Sequence, residues 1–183
     1  AGFDTLILTV DVPQVSRRVR DLRNGFKVPF SITPRVFWDL ATHPRWSLGT
    51  LLAGAPRPMN FTDSKGNNTF DRDASRSGAD WSFMEVLRDK WQGNLVIKGL
   101  TSAEDAQRVQ SLGADAIYVS NHGARQLDSV PPAIQLLPLI RDAVGPDFPL
   151  LFDSGIRNGE DVIKAVALGA NFVMLGRPAL FAL

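Results

Sequence analysis

The sequence predicts an α/β fold, a TIM (β/α)8 barrel present as its C-terminal portion only, about strands 4 to 8. Three observations carry that prediction. Five short runs rich in apolar and β-branched residues lie at 6–10, 95–97, 116–119, 149–152 and 172–175, and none alternates polar with apolar, the pattern of strands buried on both faces of a parallel sheet. Helical patterns separate the last four, which gives the strand–helix–strand rhythm of βαβ units. Residues able to do chemistry then stand at successive strand ends: Asp11, Lys98, His122, Asp153 and Arg177. An open doubly wound sheet also fits the rhythm, but barrels gather their active sites at that C-terminal face. A full barrel takes eight such units over about 250 residues, so five strands in 183 residues imply that some are missing.

Taken in order, the first strand leads into Asp11 and Pro13. Thr33-Pro34 opens a helix over 35–42, because proline's fixed φ suits a first turn; 46–53 is a further apolar stretch. Residues 54–80 break the rhythm, being rich in Pro, Asn, Asp, Ser and Gly, with four Lys/Arg balancing four Asp. A loop of that length is a lid, a binding loop or a plain surface segment. After the second strand, Ser102 can cap a helix over 103–112, with Glu104 and Asp105 in its first turn and Gly113 beyond its end. Ile134, Leu137 and Ile140 mark a helix over 132–144, stopped by Gly145-Pro146. Asn158 can cap 159–168, which sets Val162, Ala165 and Val166 on one face ahead of Gly169.

Composition narrows the function. The net charge is +1 and no polybasic run occurs, so nucleic acid is not an expected partner. With no cysteine, disulfides, thiolate nucleophiles and Cys-ligated zinc are excluded; two histidines, His43 and His122, argue against a His-rich metal site, and no metal is expected. No signal-peptide pattern precedes the first strand, and no stretch of about 18 apolar residues could span a bilayer. Ala1 is not an initiator methionine, and Phe181-Ala182-Leu183 falls within an apolar segment, so the chain is expected to be an excerpt of a longer protein.

The densest constellation is Val119-Ser120-Asn121-His122-Gly123-Ala124-Arg125-Gln126-Leu127-Asp128. His122 can exchange a proton near neutral pH, and Arg125 offers a planar fork for a substrate carboxylate. A histidine that merely bonds a loop is the plain alternative. A second cluster, Phe152-Asp153-Ser154-Gly155-Ile156-Arg157-Asn158-Gly159, is followed one strand later by Leu175-Gly176-Arg177-Pro178. If these end the last two strands, they form a phosphate cradle; otherwise they are turn glycines with surface arginines. With no G-x-G-x-x-G or Walker A pattern, a mononucleotide phosphate fits better than a dinucleotide. Asp11 could orient a histidine or cap a turn. Lys98 could reach solvent or stabilise negative charge inside a site.

These motifs occur together in a known order. Thr9-Val10-Asp11-Val12-Pro13, Arg17-Arg18, Asp21-Leu22-Arg23-Asn24-Gly25-Phe26, Val96-Ile97-Lys98-Gly99, the run from Ser120 to Asp128, the run from Asp153 to Gly159, and Gly176-Arg177-Pro178 resemble the FMN-dependent α-hydroxy-acid dehydrogenases and oxidases. That family includes glycolate oxidase, L-lactate dehydrogenase, mandelate dehydrogenase and flavocytochrome b2, and the likeness is to the bacterial L-lactate-dehydrogenase-like branch. It covers nearly the whole chain except about 45–80.

The resemblance implies oxidation of a lactate-like L-2-hydroxy acid to the 2-keto acid, with FMN as cofactor and electrons passed to a quinone or other acceptor. An oxidase using oxygen, or a catalytically incompetent fragment, is the alternative. It implies that His122 is the catalytic base, with Asp11 holding its imidazolium. Arg125 and Arg18 would bind the substrate carboxylate, next to His122. Thr9, Lys98 and Ser120 would touch the flavin ring; Asp153, Ser154, Gly155, Ile156 and Arg157, with Gly176 and Arg177, would hold ribityl and phosphate. Ser16, Val19 and Ser154 depart from the commoner Gly, Glu and Gly. The family's two substrate tyrosines have no counterpart, since the one tyrosine, Tyr118, falls inside a strand.

Residues 1–183 thus read as one partial barrel domain with a lid or membrane-proximal loop at about 45–80. Trp38, Trp46, Leu48, Leu51 and Leu52, with Arg35, Arg45 and Arg57, could form an interfacial membrane patch or pack on the barrel. The expected location is cytoplasmic, peripheral on the inner membrane face, and the full-length parent is expected to be a homotetramer.

Overall fold

A computed structural model describes residues 2–12, 19–25, 31–54 and 78–182, without the side chains of Arg20 and Leu22. In chain order its elements are β1 (Thr5–Thr9), α1 (Val19–Arg23), α2 (Pro34–Thr42), α3 (Pro44–Ala53), α4 (Trp81–Lys90), β2 (Asn94–Lys98), α5 (Ala103–Ser111), β3 (Ala116–Val119), α6 (Ala133–Val144), β4 (Leu150–Phe152), α7 (Gly159–Ala167), β5 (Phe172–Val173) and α8 (Arg177–Phe181). The chain divides into two compact units, Ala1–Ser16 with Ser75–Leu183, and Arg17–Ala74.

The first unit is built on a parallel sheet with strand order β1-β2-β3-β4-β5. The order follows the chain without reversal. A doubly wound sheet reverses at its switch point, so this is the arc of a (β/α)8 barrel. Side chains alternate across each strand. One face buries Leu95, Ile97, Ile117, Val119, Leu150 and Phe152 against Val109, Leu137 and Ile140 of the helices, each such burial stabilising the fold by roughly 2 kcal/mol. The other face carries a smaller cluster, Val96, Ala116 and Tyr118, with Leu151 packed on it.

The helices start where their caps say. Ser102 accepts the Asp105 N–H at 3.3 Å and Asn158 accepts the Asp161 N–H at 3.0 Å, each satisfying a first-turn donor. Sequence reasoning did not anticipate α4. Asp80 caps it, accepting the Phe83 N–H at 2.8 Å; Met84 is its one buried side chain, the partly buried Trp81 and Leu87 pack on the core at helical spacing, and the exposed Phe83 and Val86 blur that pattern. Strand β5 is two residues long where four were expected, and Phe172 is 60% exposed.

The N-terminal ends of the strands are fastened by two arginines. From α4, Arg88 donates to the carbonyls of Trp91, Gly93 and Gly113 and pairs with Asp115 at 3.0 Å; Asp115 also accepts the Leu95 N–H at 2.7 Å. From α6, Arg141 donates to the carbonyls of Gly145, Pro146, Phe148 and Gly169 and to Asn171 Oδ1 at 2.8 Å; that oxygen accepts the Leu150 N–H at 2.8 Å. Leu112-Gly113-Ala114-Asp115 before β3 thus recurs as Leu168-Gly169-Ala170-Asn171 before β5, with the same strand-start bond in each.

In the second unit, Thr33 caps α2 by accepting the Val36 N–H at 3.3 Å. His43 joins α2 to α3, its Nδ1 lying 2.9 Å from the Asp39 carbonyl, and Ser47 donates to the Leu40 carbonyl at 2.7 Å. Neither helix buries a side chain. Phe37, Trp38, Trp46, Leu48, Leu51 and Leu52 are all exposed, alongside Arg35 and Arg45. Among the described residues no helix is long and apolar enough to cross a membrane. Arg57 and most of the 45–80 loop lie outside those residues.

Replacing Arg141 with alanine strands several carbonyls at once. It should lower unfolding stability in urea by about 3 kcal/mol. Asn171→Asp, which copies Asp115, should change stability by less than about 1 kcal/mol; a loss as large as that of the alanine variant would refute the equivalence of the two fastenings.

Candidate active site

The chemistry-bearing residues collect at the opposite, C-terminal ends of the strands. After β3 the chain makes a left-handed turn in which His122, Gly123 and Ala124 have φ of 53°, 62° and 57°. Such backbone costs about 1 kcal/mol or more at each non-glycine residue, and four hydrogen bonds to side chains help hold it. Ser120 Oγ accepts the His122 N–H at 3.1 Å, and Asn121 Oδ1 accepts that of Ala124 at 3.3 Å. Ser154 Oγ, from the next strand end, accepts those of Asn121 and Gly123 at 3.2 and 3.0 Å.

The turn brings His122 Nδ1 to 2.6 Å from Asp11 Oδ2, with both side chains partly buried. Gly99 makes room for that acid: its φ is +97°, and a Cβ there would lie 2.4 Å from Asp11 Cγ. Because Nδ1 is engaged, Nε2 is the nitrogen left for chemistry; among the described residues it has no hydrogen bond. Arg125 follows the turn, exposed, and its guanidinium has no acid partner among the described residues.

A second constellation spans β2, β3 and β4. Lys98 Nζ is 2.7 Å from Asp153 Oδ2 and 3.6 Å from the centre of the Tyr118 ring. Tyr118 donates its hydroxyl to the same Oδ2 at 2.7 Å, and Ser154 donates to Oδ1 at 2.7 Å. Burial pushes the Asp153 carboxyl up, but Lys98, Ser120, Ser154 and Tyr118 together outweigh it and hold the group below the usual carboxylate range. Thr9, exposed at the end of β1, is in register with Lys98.

Beside these groups lies a cleft of about 500 Å³, bordered by Gly123, Ser154, Gly155, Arg157, Lys164 and Arg177. Arg177 crosses close over Gly123, where a Cβ would be 3.1 Å from its Nη2. Ile156 is buried in the core and also borders the cleft. Gly176 immediately precedes α8. Arg18 lies outside the described residues. Tyr118, Asn121 and Gly99 were not singled out from the sequence as site residues. Strand alternation could have found Tyr118, which shares a sheet face with Ser120 two positions on.

The match to known proteins covers the same ground. All of residues 1–183 match the family model described as FMN-dependent dehydrogenase. The chain belongs to the FMN-dependent dehydrogenase family. An L-lactate dehydrogenase of Pseudomonas entomophila (strain L48) is 42% identical over 196 aligned positions, covering 100% of this chain and 50% of that protein. An (S)-mandelate dehydrogenase of Pseudomonas putida is 42% identical, covering 100% and 47%. A crystal structure of the monotopic membrane protein (S)-mandelate dehydrogenase superposes with a TM-score of 0.89 at 41% identity, over 98% of this chain and 49% of that one. A mandelate oxidase structure gives 0.70 at 38% identity, over 99% and 45%. This family member therefore spans about half the length of the relatives it matches, in keeping with a partial barrel.

Since Asp153 is held below its ordinary value of 3.8 when folded, the unfolded state binds more protons through that range. Its contribution to stability is present above the unfolded value and is lost as pH falls through the folded one. In acid unfolding followed by circular dichroism, Asp153→Asn should flatten the loss of stability below pH about 4, while being less stable than the parent at neutral pH.

Proposed function

We propose that this chain carries the redox site of an FMN-dependent L-2-hydroxy-acid dehydrogenase that oxidises a lactate-like substrate to its 2-keto acid. The observation that carries this reading is the 2.6 Å His122–Asp11 pair, with Nε2 unengaged and Arg125 three residues on. His122 Nε2 takes a proton from the substrate, and Asp11 stabilises the imidazolium. Arg125 would hold the carboxylate by charge-assisted hydrogen bonds, presenting the hydroxyl-bearing carbon to the base; Arg18 as a second cationic contact rests on the family resemblance alone.

The residues present fit the cofactor. Arg157 and Arg177 border the cleft with Gly155 and Ser154, a donor set suited to phosphate, to which Ile156 and Gly176 would add, with the Asp153 carboxylate as an acceptor for ribityl hydroxyls. Thr9, Lys98 and Ser120 would meet the ring. FMN, when bound, supplies a two-electron acceptor. The final electron acceptor would be a quinone or another oxidant. An oxidase passing them to oxygen is the second reading, favoured by the likeness to mandelate oxidase. An FMN-binding but inactive half-site is the third, favoured by the half-length match.

Adding FMN and L-lactate under anaerobic conditions separates these readings. Bleaching of the flavin followed by fast reoxidation with a quinone supports the dehydrogenase; fast reoxidation by oxygen alone supports the oxidase. A protein that stays colourless with added FMN refutes both. His122→Ala should keep FMN bound while slowing substrate-dependent bleaching by about 10²–10⁴-fold; retained bleaching would remove His122 as the base.

We also propose that the exposed helices α2 and α3 meet a membrane surface, which fits the expected location, cytoplasmic and peripheral on the inner membrane face. Trp38, Trp46, Leu51 and Leu52 are exposed apolar side chains on helices that also expose Arg35 and Arg45, a composition that suits an anionic interface. The family resemblance supports a homotetramer for the full-length protein. Co-sedimentation with anionic vesicles should fall at least several-fold in Trp38→Ser/Leu51→Ser, and equal sedimentation would refute the membrane contact.

A further inference from the structure

Tyr118 has no task in the proposed function. It stands in mid-strand on β3, 5% exposed, on the sheet face turned away from the helix layer and in register with Lys98 on β2 and Leu151 on β4. A buried strand position asks only for volume and a branched or aromatic shape. Valine, isoleucine or leucine would supply that without a polar atom to satisfy. Here both chemical handles of the phenol engage one ion pair. The hydroxyl donates to Asp153 Oδ2 at 2.7 Å, the ring face lies 3.6 Å from Lys98 Nζ, and Lys98 itself reaches that same Oδ2 at 2.7 Å.

We propose that Tyr118 is the positioning residue for Lys98, fixing its ammonium and setting how much of its charge is left to stabilise a reduced flavin. The inference rests on the FMN reading above and extends it to a residue outside the cofactor's own shell. Two effects work in the same direction. The negative face of the ring attracts the ammonium and gives a flexible four-carbon side chain one resting place. The hydroxyl donates into the oxygen that holds Lys98, so Asp153 shares its charge between two donors and neutralises the ammonium less. Lys98 is 13% and Asp153 22% exposed, so little water intervenes to screen either effect. Burial, and then the adjacent Asp153 carboxylate, push the phenol's ionisation above its usual range, so it remains a donor at every pH where the protein works.

The test compares how tightly the protein binds oxidised and reduced FMN, a ratio that a purely structural residue leaves alone. Tyr118→Phe keeps the ring and loses the hydroxyl; the preference for reduced FMN should fall by about threefold. Tyr118→Leu loses both handles and should lower it by about tenfold or more, which is about 30 mV of two-electron midpoint potential per tenfold. Both effects should disappear when Lys98 is already methionine, because they act through its charge. Unchanged ratios in the two variants overturn the inference, and so do reductions that persist in Lys98→Met. If Tyr118→Leu does not fold, Tyr118→Phe, which removes one oxygen, decides alone. Failure of the unsubstituted protein to bind FMN overturns the flavoprotein reading, and this inference with it. Binding with unchanged ratios overturns this inference only.

Discussion

The proposed chemistry depends on one close contact, the 2.6 Å bond between Asp11 and His122, residues 111 apart in sequence. No local structure could make it. The pair exists because parallel strands present their C-terminal ends in one row, with β2 set between β1 and β3. The acid must then bend back across the end of β2, and Gly99 is what lets it pass. The histidine needs a left-handed turn to meet it, and that turn needs Ser154 from β4. Four strands therefore contribute to one proton-handling pair. Ser154 itself has a φ of +82°, so the organising side chain sits on strained backbone too. Strain concentrated at the working end of a fold is what a site held by its surroundings looks like.

The two ends of the sheet divide the labour. At the N-terminal ends, arginines satisfy backbone carbonyls and acid or amide oxygens fix an N–H at the start of a strand; at the C-terminal ends, charges are left in partial burial and incompletely paired. Lys98, Asp153 and Tyr118 lie between these extremes, deep enough for their interactions to be strong. Arg125, Arg157 and Arg177 stand further out, free of acid partners among the described residues.

Much of the fold was legible in the sequence because β2 and β3, buried on both faces, leave uninterrupted apolar runs, and because Ser102 and Asn158 are caps whose spacing announces a helix. The motif around His122 marked where the site lies, but Asp11 as its partner came from the family resemblance; spacing alone left a structural histidine equally open. What stayed illegible has physical reasons. Helix α4 packs Trp81, Met84 and Leu87 on the core, but its exposed Phe83 and Val86 blur that period. The bonds of Arg88 and Arg141 go mostly to backbone carbonyls, which every residue carries, so no partner residue marks them. Tyr118 reads as one more core residue, and only the register with Lys98 shows that it meets an ion pair. For the second unit, the exposed tryptophans and leucines of α2 and α3 are as visible in the sequence as in the structure.

The recurring arginine fastenings bear on how the molecule comes apart. Arg141 closes its bonds within 30 residues and Arg88 within 27, so each strand pair, with its helices, ties off its own base without help from distant chain. Contacts that short are formed quickly and reopen together. The working end has the opposite grammar, since its key bond spans most of the molecule. A partly opened state can therefore lose the Asp11–His122 contact while both fastened pairs remain intact, so proton-handling competence would be lost before the arc of the barrel is.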